Sequence, residues 1–183
     1  MKSIIQPTYF SLEKTRSDSP KPSPLSKEIF DKVIQTWPRL CADVVIVDRK
    51  HKLLYLPLRK SNPTGYWFIG GSIVARESEW AAAIRKLRVE TGLNITPDRL
   101  SLVWLKRYIF TFSDSLCYLF SLELTPAERG EISLDPEEYE ADYGLCSFSR
   151  DDLLEKCNQT TEQESAYPIL LLAYDAIFGS DEH

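Results

Sequence analysis

The stretch from Gly65 to Leu93, GYWFIGGSIVARESEWAAAIRKLRVETGL, constrains this chain more than any other. It opens as a short aromatic strand (Tyr66, Trp67, Phe68, Ile69), passes a glycine turn at Gly70–Gly71 and a loop, and then becomes a helix. Ala81, Ala82, Ala83, Arg85, Lys86, Leu87, Arg88 and Glu90 are good helix formers, and Gly92 stands where a helix stops. Trp80, Ile84, Leu87 and Thr91 recur at helical spacing, which predicts a core-facing side. Arg85, Lys86, Val89 and Glu90 fall on the other side. Lys86 lies one turn before Glu90, so the two can pair as an exposed helical ion pair worth about 0.3–0.5 kcal/mol.

The rest of the chain supplies strands around this helix. Residues 1–24 include the Pro/Ser-rich run SDSPKPSP and read as a flexible arm, leaving 25–183 as the domain. Ser26 precedes an amphipathic helix with Ile29, Phe30, Val33 and Ile34 in one stripe and Pro38 beyond its end. ADVVIVD (42–48) and KLLYLPL (52–58) predict a hairpin around Arg49–His51. LSLVWLKRYIFTF (100–112) and LCYLFSLEL (116–124) predict two long strands, and YGLCSF (143–148) a last one. The acidic segment 125–142 reads as a loop, Ser149 caps DDLLEK, and 165–178 closes the chain as an apolar helix ended by Gly179. Strands flanking a helix, with further helices after them, predict an α/β class and an α/β/α layered domain.

Composition excludes several functions. A net charge of -5 without a basic stripe argues against a nucleic-acid partner. No apolar run reaches membrane-spanning length and the start lacks a secretory signature, so a cytoplasmic, non-membrane protein is expected. Cys41, Cys117, Cys146 and Cys157 show no C-x-x-C pairing and sit in or beside apolar segments, as reduced buried thiols do.

Gly71, Glu77, Arg85, Leu87, Glu90, Gly92 and Leu93 fall on the fixed positions of the Nudix box, G-x5-E-x7-R-E-U-x-E-E-x-G-U with U aliphatic. Lys86 and Val89 stand where that pattern has glutamate. The chain therefore resembles the Nudix hydrolase superfamily, which implies an α/β/α sandwich with a mixed central sheet. The resemblance also implies Mg²⁺-dependent cleavage of nucleoside diphosphates linked to another moiety. Within it, the GDP-mannose mannosyl hydrolase subfamily also lacks glutamate at these two positions and binds one Mg²⁺. LSKEIFDKVIQTWP (25–38) resembles its N-terminal helix, ADVVIV its first strand, and GYWF the residues before the glycines.

That likeness implies roles residue by residue. Gly71 (through its carbonyl) and Glu90 would hold the metal, with Glu77 and Arg85 bracing loop and helix, and Arg85 and Lys86 near the substrate. Asp43 and Arg59 would hold the departing diphosphate, and Tyr118 would belong to the active site. The subfamily's glutamine ligand and histidine base fall in PEEYEADY (136–143), where this chain has neither residue type. One alignment puts Glu138 at the metal position and Tyr139 at the base; the other puts Tyr139 and Glu140 there. A carboxylate accepts a proton near neutral pH far more readily than a phenol with pKa about 10, which favours Glu138 as ligand and Glu140 as base. His51, in the hairpin turn, and His183, at the end, are not placed to act as a base. Phe68 and Trp104 read as core, and Tyr66 as the aromatic best placed to stack on a ligand. The expected ligand is a nucleotide sugar, GDP-mannose-like, or another nucleoside diphosphate derivative, and the subfamily implies a homodimer. Loss of two box glutamates and of the histidine opens a second reading: a domain that binds such a ligand as a sensor or accessory protein, without turnover.

Overall fold

The computed structural model describes residues 26–61, 63–111, 113–159 and 166–179. The N-terminal arm and His183 lie outside the described residues, as do the side chains of Phe30 and Ile34 in the predicted apolar stripe. Seven strands make one mixed sheet. β1 (Arg39–Asp48) and β2 (Leu53–Arg59) form the predicted hairpin, and β3 (Gly65–Tyr66) adds to β2. β4 (Ile69–Ser72) runs antiparallel to β1, pairing Ala42 with Gly71 and Asp43 with Gly70. β5 (Ser101–Phe110) and β6 (Ser113–Glu123) are antiparallel, while β6 lies parallel to β1 with Cys41 opposite Cys117. β7 (Leu145–Phe148) closes on β2.

Helices cover both faces, which is why the central strand reads as an unbroken apolar run. Alternation sends Cys41, Val45 and Val47 of β1 and Cys117 and Leu119 of β6 to one face. There they meet Leu153 of α4 (Arg150–Gln159) and Leu170, Ala173 and Tyr174 of α5 (Tyr167–Phe178). Ala42, Val44, Ile46, Phe120 and Leu122 take the other face, against Ala82, Ala83 and Leu87 of α2 (Glu79–Thr91). Ser78 caps α2 by accepting from Ala81 N, and Gly92 ends it in the left-handed conformation. α1 (Lys27–Thr36) is capped by Ser26, as its sequence predicts. No described helix is long and apolar enough to cross a membrane.

Three expectations are corrected. Gly70 and Gly71 are strand residues of β4 rather than a turn, and the aromatic strand is broken, Trp67 and Phe68 lying between β3 and β4. The acidic segment 125–142 contains α3 (Pro126–Gly130), held by a Thr125/Glu128 capping box. Glu90 is buried rather than on the outer side of α2, together with Leu87 and Thr91, whereas Trp80 and Ile84 are only half-buried. Truncation measures which side of the helix carries the packing. Leu87→Ala should lower unfolding free energy by about 2–5 kcal/mol in urea titrations. Val89→Ala, at a side chain 59% exposed, should change it by no more than about 0.5 kcal/mol.

Candidate functional site

Period-two alternation along β1 places Arg39, Cys41 and Asp43 side by side on the α4/α5 face, and β6 adds Ser113, Ser115 and Cys117 in register. With Arg59, Trp67, Gly71 and Tyr108 these residues line a cleft of about 70 Å³. Arg39 Nη2 donates to Ser115 Oγ at 3.3 Å, and Arg59 Nη2 donates to Ser61 Oγ at 3.3 Å and Glu138 Oε2 at 3.2 Å. The Nε of each arginine is buried and has no hydrogen-bond partner among the described residues. Two guanidinium groups lining one recess suit an anion rich in oxygens, which guanidinium binds in a planar, directional way.

Asp43 forms the floor. It is 6% exposed and accepts from Cys117 Sγ at 3.1 Å. Burial pushes its carboxyl up to about 6, partly offset by the Cys117 hydrogen bond and the Arg59 charge. Burial likewise raises the Cys41 thiol to about 11, so it stays protonated at neutral pH.

β4 separates this floor from helix α2, and its two glycines let the sides meet. A Cβ on Gly70 would lie 2.4 Å from Ala42 O and 2.5 Å from Asp43 Oδ1, a collision with fixed backbone. A Cβ on Gly71 would lie 3.0 Å from Lys86 Cε. Both glycines hold φ near +150°, which side-chain-bearing residues rarely adopt (+151° and +152°). Through this gap Gly70 N donates to Glu90 Oε2 at 3.2 Å. The Tyr139 hydroxyl donates to the same oxygen, and Lys86 Nζ forms an ion pair with Oε1. Glu90 is 1% exposed, so this set of partners is what permits a carboxylate there. Tyr139 is fully buried, and burial followed by the Glu90 charge pushes its phenol well above the ordinary tyrosine range. It therefore serves as a donor to Glu90.

The other residues singled out from sequence divide clearly. Arg85 Nε meets Glu77 Oε1 at 2.7 Å and its Nη2 donates to Ser72 O at 3.0 Å, while Glu77 Oε2 accepts from Val74 N at 3.2 Å. This brace ties the loop before α2 to the helix, and commits Arg85 away from the cleft. Glu138 is held by Arg59, and it is the neighbouring Tyr139 whose side chain reaches Glu90. Glu140 lies near the surface, 3.7 Å from Lys60 Nζ, and does not line the cleft. Tyr118 points to the α2 face of the sheet, opposite Asp43. Tyr66 leans on Phe148 and donates to Cys146 Sγ at 3.5 Å, outside the cleft. His51 is taken up by Asp48 at 2.9 Å in the hairpin turn. Arg39, Ser113 and Ser115 are not among the residues expected at the site, and Cys117 only as a buried thiol, although counting back by two from Asp43 reaches Cys41 and then Arg39.

A divalent ion needs several oxygen ligands converging on one point. Among the described residues no three His, Cys, Asp or Glu side chains do so. Glu90 Oε1 has the Lys86 ammonium as its ion-pair partner but no hydrogen bond among the described residues, Glu90 Oε2 has two donors, and Glu138 is bound to an arginine. The side chains as arranged do not fit Mg²⁺.

A family model described as NUDIX domain matches residues 37–170. No curated protein sequence matches the chain. Among solved structures, the MutT NUDIX hydrolase of Burkholderia pseudomallei is similar at TM-score 0.56 and 21% identity, covering 75% of this chain and 98% of that one. The MutT protein of Methanosarcina mazei Go1 is similar at TM-score 0.58 and 17% identity, covering 79% and 99%. A UDP-X diphosphatase is similar at TM-score 0.55 and 16% identity, covering 86% and 73%. These identities speak for the fold.

The raised carboxyl of Asp43 makes stability depend on pH with a definite sign. Between the ordinary carboxylate range and about pH 6 the folded chain holds a proton that the unfolded chain has released. Unfolding free energy should therefore fall as pH rises through that window and level off above it. Asp43→Asn should flatten this slope in denaturant titrations run from pH 4 to pH 8. In the same assay Tyr139→Phe, which strips a donor from Glu90, should cost about 1–3 kcal/mol.

Proposed function

This chain belongs to the NUDIX family, and from that premise we propose that its cleft takes up the diphosphate of a nucleoside diphosphate derivative, of the nucleotide-sugar class. The observation that carries the reading is the pair Arg39 and Arg59, whose side chains line one recess together with Ser113 and Ser115. Phosphoryl oxygens match such donors in charge and geometry. The recess is too small for a whole nucleotide, so the diphosphate sits inside and base and sugar extend outward. One structural relative is named a UDP-X diphosphatase, a protein of the same ligand class.

Two outcomes for the bound ligand differ in chemistry. Hydrolases of this family generally use a divalent cation such as Mg²⁺, and the retained Glu77–Arg85 brace favours a preserved hydrolytic scaffold. Under that reading Gly71, Glu90 and Glu138 would hold Mg²⁺ and Glu140 would be the base, after Lys86 and Arg59 release their partners. Recognition without turnover requires no such rearrangement and agrees with the pairing of Glu90. The geometry favours recognition, as a sensor or accessory protein. A homodimer through the N-terminal helix is proposed with it, since Ile29, Val33 and Trp37 are exposed.

Calorimetric titration with GDP-mannose and UDP-glucose should detect binding, weakened about tenfold or more (about 1.4 kcal/mol) by Arg59→Ala. Incubation with Mg²⁺ and either ligand should release neither sugar nor nucleotide. Release that Glu90→Gln abolishes would establish the hydrolase reading instead.

A further inference from the structure

Helix α2 sets Lys86 and Glu90 four residues apart, on one face and one above the other. The lysine side chain is 19% exposed and the glutamate side chain 2%. An exposed pair of this kind contributes little, but here the carboxylate is almost cut off from water while the ammonium keeps partial access to it. The lysine stem runs over Gly71, so close that a single added carbon there would press on Cε at 3.0 Å. Gly71 lines the cleft and Lys86 does not, so the ammonium stands on the α2 side of that glycine, Nζ 3.5 Å from where its Cβ would be. Burial dominates at Cys41 and Asp43 and favours their neutral forms, and the positive charge of Lys86 offsets it only slightly.

The other carboxylate oxygen is closed off as well, by Gly70 N and the Tyr139 hydroxyl. Glu138 is engaged by Arg59 and Ser61. Every group expected to contribute a side-chain oxygen to a divalent ion thus already has a protein partner, and the main one is a cation. We infer that the Lys86 ammonium is the built-in counter-cation of this site, so that the cleft binds a diphosphate without a divalent ion. Lys86, Arg39 and Arg59 together supply the positive charge that a metal would otherwise bring to the phosphoryl oxygens. A fixed ammonium costs no metal uptake but offers a single charge and no open coordination position, which suits retention of a diphosphate more than its cleavage.

The inference rests on the ligand class proposed above, and two probes keep the two separable. Metal binding is read on the full chain without any diphosphate, by Tb³⁺ luminescence and its displacement by Mg²⁺. Diphosphate binding is read by calorimetry with inorganic pyrophosphate and with GDP-mannose, in excess Mg²⁺ and in EDTA. The wild type should show no saturable Tb³⁺ site that Glu90→Gln removes, and its diphosphate affinity in EDTA should match that in Mg²⁺ within about twofold (about 0.4 kcal/mol). Lys86→Gln should weaken metal-free binding about tenfold or more, and Lys86→Arg should retain it. Lys86→Glu, which sets a second carboxylate one turn from Glu90, should create a Tb³⁺ site. Thermal unfolding of each variant distinguishes lost binding from lost fold, and Lys86→Arg carries the test where Lys86→Gln is unstable. A Tb³⁺ site in the wild type that Glu90→Gln abolishes overturns the inference, as does diphosphate binding that EDTA eliminates. Absence of diphosphate binding under both conditions overturns the ligand class, and the Tb³⁺ result still judges the lysine.

Discussion

A carboxylate with almost no access to water has to be held by its neighbours, and Glu90 is the point on which this structure turns. Stripping such a group of hydration costs several kcal/mol, which a bare ion pair seldom recovers without further hydrogen bonds. Here the compensation comes from three partners on three segments. Lys86 arrives from the same helix, Gly70 from the strand beneath it, and Tyr139 from the segment that precedes β7. Each is held by its own constraint. Gly70 is tied by strand pairing to Asp43, and Tyr139 by its backbone donation to Asp135 O at 2.9 Å and its bridge to Arg59. The backbone of Asp135 in turn donates to Glu90 O at 3.0 Å, fastening that segment to the end of the helix.

That network explains how two faces of a sheet communicate. Side chains on opposite faces are normally insulated by the strand between them. β4 is an exception because neither Gly70 nor Gly71 projects a side chain, so the helix charges and the Asp43 floor share one electrostatic environment. The balance of sign follows. Asp43 and Glu90 are two acids in poorly hydrated surroundings, and Lys86, Arg39 and Arg59 surround them with three cations. An anionic ligand in the cleft meets the arginines and Asp43 on one lining, while Glu90 lies outside it.

Much of the fold was legible in the sequence because most segments carried one dominant period. The β1 and β6 runs, the capped α1 and α2 and the apolar α5 follow from alternation, helical spacing and end signals. The failures share a cause. Gly70–Gly71 is a turn signal by local chemistry, but β1 approaches so closely there that only a residue without Cβ fits, and the pair was taken into the sheet. Glu90 reads as surface on a helical wheel because a charged residue seldom enters a core. Its burial depends on Tyr139, which lies 49 positions away and is invisible to any local pattern.

The candidate site was legible in its helix and opaque in its strands and loops. The box positions give the Glu77–Arg85 brace and the Lys86–Glu90 pair directly, since both are set by spacing within one helix and its leading loop. The cleft itself is assembled from alternate residues of two parallel strands, where Arg39 meets Ser115 only through the register between β1 and β6. In the segment 136–143 adjacent side chains part, so placing a residue one position wrong exchanges a donor to Glu90 for a partner of Arg59. That one-residue sensitivity has a chemical consequence. With Tyr139 directed inward, the segment delivers a hydroxyl donor to a carboxylate that already has a cation; with Glu138 inward it would deliver a second acid and create a demand for a metal. Lysine at position 86 and tyrosine at position 139 are thus complementary choices, each making sense of the other: a single buried acid needs one cation and one donor, and this chain supplies both from its own side chains.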